Sequence, residues 1–492
     1  KNFLLIKENN ILYRYLLNTK MIGVYYMDTV SAIVAKVNGF LWDYLLIILL
    51  CGSGIYFTIR FKFVQIFKFK DGWNRTFGSL SLSGKSADKE GISSFQSLAT
   101  AIAAQVGTGN LAGTAAALIS GGPGAIFWMW VSAFLGMATI FAEASLGQKY
   151  KTTTEDGHII GGPAYYIQAA YRGLFGKILS VLFSVFIILA LGFMGNMVQS
   201  NSISSAFVNA FPNIKPIYIG IICALISAFI FIGGLKRIVS FAEKVVPIMA
   251  LFYIIGSLII ILMNIEKLPN SILLIFKSAF NPQAVIGGGL GISVQRAVRF
   301  GVARGLFSNE AGMGSTPHAH ALAKVKHPCE QGVVAMIGVF FDTFIVVTLT
   351  ALVILTSDIL QTQIYTLNSS VNIPEILKGV GLPQEAFRLG FGYLGVIFVA
   401  VCLFFFAFTT IIGWYFFGEQ NIKYLFGVKA AKIYAVFVVG FILLGSALKV
   451  DLVWALADTF NALMVIPNLL GLLALGSVVS VLFKEYNTLN KK

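Results

Sequence analysis

The chain has 492 residues, 57% hydrophobic and 12% charged, with a mean hydropathy of +0.82. Soluble domains carry about 25% charged residues, so this deficit excludes an ordinary soluble enzyme, a disordered chain and a nucleic-acid binder. A net charge of +15 in so apolar a chain fits Lys and Arg held in cytoplasmic loops. The four cysteines, Cys51, Cys223, Cys329 and Cys402, show no paired spacing, and three lie in apolar runs. Neither a disulfide framework nor a zinc site is expected.

The first 26 residues mix polar and aromatic types without a sustained period, and the chain starts at Lys1. They read as an extension ahead of a start at Met21 or Met27, with no cleavable signal peptide. A spanning helix needs about 20 mostly apolar residues. Eleven such stretches follow, at 40–59, 96–119, 123–147, 178–209, 216–233, 245–263, 272–303, 331–356, 390–417, 430–448 and 452–482. Alternate loops after the first span carry 25 Lys and Arg against 6 in the opposite loops. The positive-inside rule therefore places the N-terminus outside and the C-terminus in the cytoplasm.

Backbone at membrane depth must satisfy its own hydrogen bonds unless it lines a cavity or binds something. Glycine clusters inside spans are the informative places. Gln105-Val106-Gly107-Thr108-Gly109-Asn110 interrupts the second span, and Gly287-Gly288-Gly289-Leu290-Gly291 interrupts the seventh. An odd separation of five spans gives the two helices opposite orientations, as an inverted five-helix repeat requires. Paired interruptions in two such halves point to a transporter substrate site. Tight packing through small residues is the competing explanation for either cluster alone.

The segments Gln105 to Gly113 (QVGTGNLAG), Gly121 to Trp130 (GGPGAIFWMW) and Gly305 to Ser315 (GLFSNEAGMGS) resemble the alanine/glycine:cation symporter family. Gly161-Gly162-Pro163, Gly195 to Gln199 and Trp414 to Glu419 also fit, so the resemblance runs from about Met27 to Phe483. Val106 to Asn110, with Gly121, Gly122 and Glu143 after it, is similar to the unwound first core helix of the neurotransmitter:sodium symporters. The resemblance implies an all-α integral membrane protein with a ten-helix inverted-repeat (5+5) core, two broken helices and one extra N-terminal helix. The implied regions are the extra helix and a cytoplasmic loop (27–94), a first repeat (95–263), a second repeat (264–483) and a cytoplasmic tail (484–492).

Several residues carry the expected chemistry. Thr108 and Gly109 sit where a broken helix leaves N–H groups free, and a helix N-terminus there offers donors and a positive dipole to a carboxylate. Gln199, deep in an apolar span, needs partners; it either accepts from the substrate ammonium or bonds a neighbouring helix. Carbonyls at Gly287 to Gly291, Gly287 and Gly289 among them, would receive the amino group. Trp414 either walls the pocket or packs in the bundle. Glu310 lies in what reads as a cytoplasmic stretch with Arg296, Arg299 and Arg304, where it would latch an inner gate or form a loop ion pair. Asp342, ten residues into an apolar span, is either a proton site or a structural acceptor. Glu143 and Asp458 are weaker candidates of the same kind, and His318 and His320 read as loop residues.

The adjacent hydroxyls Thr409 and Thr410 supply oxygen ligands for a small hard cation, although buried Thr also bonds back to its own helix. The symporter resemblance adds the carbonyls of Ala103 and Val106 to this Na⁺ site. The expected function is Na⁺-coupled symport of small neutral amino acids, alanine or glycine, across the bacterial inner membrane. It is expected to act as a monomer with no cofactor, no covalent chemistry and no nucleic-acid partner. Proton-coupled symport and an ion channel are the alternatives.

Overall fold

The computed structural model describes residues 29–78, 91–154, 157, 159–280, 294–360, 377–448 and 451–489. The described residues are helical almost throughout. Among the described residues, eight helices are long and apolar enough to cross a membrane, or nine when a pair bent by 50° counts as one span. In order, these and their neighbours are α1 (Thr29–Arg60), the bent pair α2 (Ser94–Gln105) and α3 (Gly109–Gly121), α4 (Gly124–Lys149), α5 (Leu174–Ala210) and α6 (Pro216–Ile232). Then come α7 (Gly234–Met263), α8 (Leu268–Phe280), α9 (Val294–Asn309), α10 (Pro328–Thr356), α11 (Tyr393–Phe426), α12 (Ala430–Ala447), α13 (Asp451–Ala474) and α14 (Gly476–Leu489). Ile232, Ile248, Leu251 and Phe229 stand exposed on the outside, an apolar surface that suits lipid rather than water.

Two packed groups form the bundle. Helix α4 lies against α9 and α10, while α5 lies against α11 and α12. Helix α2 packs on α7 and α11, bringing its broken end to the boundary between the groups. One face carries the Gly121–Gly124 turn, where Trp128 donates to Ala279 O of α8 and Tyr393 bonds Ala210. The opposite face carries Tyr150, the Ile92–Ala323 bridge and the α14 contact from Tyr486 to Asp71.

The seventh span differs from expectation. Helix α8 ends at Phe280 on the Gly121 face, and the cluster Gly287 to Gly291 lies outside the described residues. The crossing is made by residues 294–321, which run alongside α4 for its whole length. Small residues set the spacing. A Cβ on Gly301 would lie 2.6 Å from Ala125 O, one on Gly305 2.7 Å from Ser132 Oγ, one on Gly136 2.9 Å from Ala311 Cβ, and one on Gly147 3.0 Å from Pro317 O. Helices approach this closely only where side chains are absent.

Residues 305–315 are therefore not a cytoplasmic loop. Arg296, Arg299 and Arg304 sit toward the Gly121 face, while Lys324 lies at the other end beside Ile92. Moving these three arginines across leaves the charge bias with its sign unchanged. His318 and His320 are likewise not loop residues. They belong to the short helix Pro317–Ala321 and are buried, with Asn421 and Gln331 as respective partners.

Candidate functional site

The site forms where two interruptions meet. The first lies between Gln105 and Gly109. Ser93 caps α2 with a reciprocal Ser93–Gln96 box, so the helix begins firmly, and it ends at Val106, whose ψ of 92° is extended. Its last-turn carbonyls, Ala103 to Val106, have no following turn to supply their intrahelical donors in full. The gap is held by the side chain of Asn110, whose Oδ1 accepts from Gly107 N–H at 2.8 Å. Thr108 N–H and hydroxyl both donate to Gln199 Oε1, at 3.1 and 2.5 Å.

The second interruption spans residues 310–316. Glu310 (φ 57°), Gly312 (φ 93°) and Gly314 (φ 83°) adopt left-handed backbone there, and an α-helix cannot continue through such residues. Glu143 on α4 stabilises the opened backbone by accepting from Gly312 N–H at 3.0 Å and from Asn468 Nδ2 at 2.6 Å. Asn468 Nδ2 also donates to Gly312 O at 2.9 Å.

Side chains tie the two breaks together. Gln105 Nε2 donates to Asn309 O at 2.7 Å. Asp342 is fully buried and accepts from Asn110 Nδ2 (2.6 Å), Ser308 Oγ (2.9 Å) and Thr343 Oγ1 (2.8 Å), joining α3, α9 and α10.

Glu310 does not pair with an arginine. It is buried, and its oxygens accept from Trp414 Nε1 and Ser315 Oγ. Arg304 instead pairs with Asp458 at 2.7 Å, and Arg299 with Asp43 at 2.5 Å. The latch expected at Glu310 fails because the residue lies inside the bundle rather than in a charged loop.

Thr108, Gly109, Gln199 and Trp414 converge. A Cβ on Gly109 would stand 3.3 Å from the Phe307 ring and 3.4 Å from Phe307 O. The Phe307 ring meets Trp414 edge-on at 5.9 Å. The N–H that would serve Phe307 O inside a helix, that of Ala311, goes to Asn309 Oδ1 instead. Thr410 Oγ1 reaches Val106 O at 3.4 Å, and a Cβ on Gly107 would fall 2.3 Å from that hydroxyl. Thr409 and Thr410 both also donate to Phe406 O in their own helix, at 2.9 and 3.0 Å. A hydroxyl that donates keeps its lone pairs for a cation. Gly287 and Gly289 lie outside the described residues.

Phe307, Ser308, Asn309 and Asn110 are the site residues that sequence reasoning passed over. Asn110 stood within the quoted QVGTGN motif, and the other three within GLFSNEAGMGS. Their polarity beside three arginines gave that motif the look of a loop.

A cavity of about 660 Å³ opens on the Gly121 face, lined by Asn201, Asn209, Arg304, Trp454 and Asp458 among others. Trp454 of its lining packs on Phe307 at 5.6 Å, and Phe307 in turn meets Trp414. Toward the Tyr150 face Gln148 Nε2 donates to the carbonyls of His320, Ala321 and Ala323.

Comparison with known proteins shows the fold and the family. The chain resembles MhsT, solved in complex with L-phenylalanine, with a TM-score of 0.53 at 12% identity over 79% of this chain and 96% of that one. At that identity the likeness shows the fold alone. The sodium/alanine symporter AgcS of Methanococcus maripaludis is 41% identical over 94% of this chain and 99% of its own length. The amino-acid carrier protein AlsT of Bacillus subtilis is 40% identical over 91% and 90%. The family model described as the sodium:alanine symporter family matches residues 27–492. With its two facing helix breaks, the chain is a cation-coupled amino-acid transporter of the multi-pass membrane class, not an enzyme, and it belongs to the sodium:alanine symporter family.

Proposed function

We propose that the protein couples Na⁺ to the uptake of small neutral amino acids, alanine or glycine, by alternating access. The observation that carries this reading is the pair of Thr108 donors converging on a single carboxamide oxygen of Gln199. That oxygen occupies the direction a substrate carboxylate would approach, at the N-terminal end of α3, where the dipole favours negative charge. A carboxylate exchanging with Gln199 Oε1 meets donors already ordered. The Gln199 amide is then free to turn its N–H toward the same ligand, so Gln199 serves the carboxylate rather than the ammonium. Phe307 O beside Gly109 is the acceptor placed for the ammonium, in a stretch where unwound backbone offers carbonyls.

The Na⁺ site uses the Val106 and Ala103 carbonyls with the Thr409 and Thr410 hydroxyls. Oxygen ligands of this kind suit a small hard cation without a carboxylate. Binding there ties the broken end of α2 to α11. Helix α6 and the interrupted segment 294–321 complete eleven spans. The Gly121 face is outside, with the N-terminus outside and the C-terminus in the cytoplasm, because the Lys and Arg excess lies at the other face. The transport unit is one chain.

Purified protein in proteoliposomes tests this reading. Alanine uptake should follow an imposed Na⁺ gradient, and Thr108→Val, which removes the hydroxyl donor and keeps the N–H, should raise the KM for alanine at least about tenfold. An unchanged KM in Thr108→Val would remove the carboxylate subsite.

A further inference from the structure

Glu310 has an unusual place. Four non-glycine residues among those described have positive φ, and Glu310 is the one inside the second interruption. A side chain of this size holds that conformation only where its surroundings over-determine it. Both its carboxylate oxygens are engaged. Oε2 accepts from Ser315 Oγ, closing the opened loop on itself, and Oε1 accepts from Trp414 Nε1 on α11. Trp414 is held from the other side as well. Its ring carbons lie where a Gly195 Cβ would come within 2.5 Å, so this ring position exists because residue 195 has no side chain. Its ring also meets the Phe307 ring at nearly a right angle, and a Cβ added at Gly109 would come within 3.3 Å of that Phe307 ring.

The rings of Phe307 and Trp414 are therefore the apolar surface adjoining Thr108, Gly109 and Phe307 O. An amino acid held by its carboxylate and ammonium at those points meets this surface with its side chain. A wall set by packing alone yields to a larger ligand by a change of rotamer. A wall with its one polar atom tied to a fixed acceptor does not, because turning it would leave both the indole N–H and the buried carboxylate oxygen without a partner.

We propose that Glu310 is a specificity-positioning residue: it fixes the Trp414 indole against Gly195 and Phe307, and so restricts the substrate side chain to about the size of a methyl group. This rests on reading Thr108 and Gly109 as the carboxylate subsite. Ser315 supports Glu310 from behind and does not touch the indole.

The test is the selectivity ratio, kcat/KM for alanine over that for methionine and for glutamine, measured by uptake into proteoliposomes at saturating Na⁺. Glu310→Leu keeps bulk and removes the acceptor; it should lower the ratio about tenfold, mainly through lower KM for the larger substrates. Glu310→Gln keeps an acceptor oxygen and should hold the ratio near that of the unaltered protein. Glu310→Asp draws the acceptor back by one methylene and should shift the ratio in the same direction as leucine, which serves where the leucine variant fails to assemble. In a Trp414→Phe background, which has no indole N–H, Glu310→Leu should change the ratio no further. Parallel changes for all substrates in the Glu310 variants would make Glu310 a general gate element and overturn the proposal, as would an undiminished effect in the Trp414→Phe background. Failure of the carboxylate reading shows separately, as a KM for alanine left unchanged by Thr108→Val.

Discussion

Gly107→Ala probes the ion site with a single methyl group. Gly107 does not have positive φ, so alanine introduces no backbone strain, and the effect is steric. The new Cβ would lie 2.3 Å from Thr410 Oγ1, 3.1 Å from Thr410 Cβ and 3.3 Å from Gln199 Oε1. To restore ordinary contact, Thr410 must withdraw by roughly 1 Å, away from a hydroxyl-to-Val106 O separation that is already 3.4 Å. Overpacking of this kind costs about 1–3 kcal/mol. Charged against ion binding, that is roughly a 5- to 150-fold rise in the Na⁺ concentration for half-maximal uptake. The assay is alanine uptake against Na⁺ concentration, with thermal unfolding in detergent run in parallel. Gly440→Ala, where an added Cβ meets nothing within 4 Å, is the control. An unaltered Na⁺ dependence in Gly107→Ala, in protein that folds normally, would refute the claim that Thr410 and the first break form one cation site.

Asp342→Ala strips the acceptor from Asn110, Ser308 and Thr343. It should destabilise the protein by about 3 kcal/mol or more, read as a drop in Tm, whereas Asp342→Asn should keep most stability and leave Na⁺ dependence in place. Loss of Na⁺ stimulation in a well-folded Asp342→Asn would give that acid a direct role in coupling. A cysteine at Asn209, exposed and lining the outer cavity, should react with an impermeant thiol reagent added outside whole cells. Substrate with Na⁺ should slow that reaction. Labelling only after the membrane is opened would reverse the assigned orientation. Glu143→Ala should unfold at a clearly lower temperature than Glu143→Gln, because only the alanine leaves Gly312 N–H without an acceptor; equal Tm values would contradict that role.

The sequence made the first interruption visible because its glycines and polar residues fall inside an otherwise unbroken apolar run. Thr108, Gly109 and Gln199 follow from that position, since a buried carboxamide must find donors. The second interruption was hidden. Its opening is made by left-handed backbone at Glu310, Gly312 and Gly314, and only tertiary partners such as Glu143, Asn468 and Trp414 make that backbone stable in the bundle. From the chain alone, Glu310 stands among arginines and reads as solvated. The triglycine run ahead of it is the stronger local signal, and it lies outside the described residues. The alternation of Lys and Arg survived the shift of three arginines because the bias rests on many loops at once.

The most direct measurement of the central claim is alanine accumulation in proteoliposomes with Na⁺ and proton gradients imposed separately, on the unaltered protein and on Thr409→Ala with Thr410→Val. Uptake above equilibrium with an inward Na⁺ gradient, none with a proton gradient alone, and loss of the Na⁺ response in the double variant are the predicted results. Accumulation driven equally by protons without Na⁺, or a Na⁺ response untouched by loss of both hydroxyls, would contradict the account.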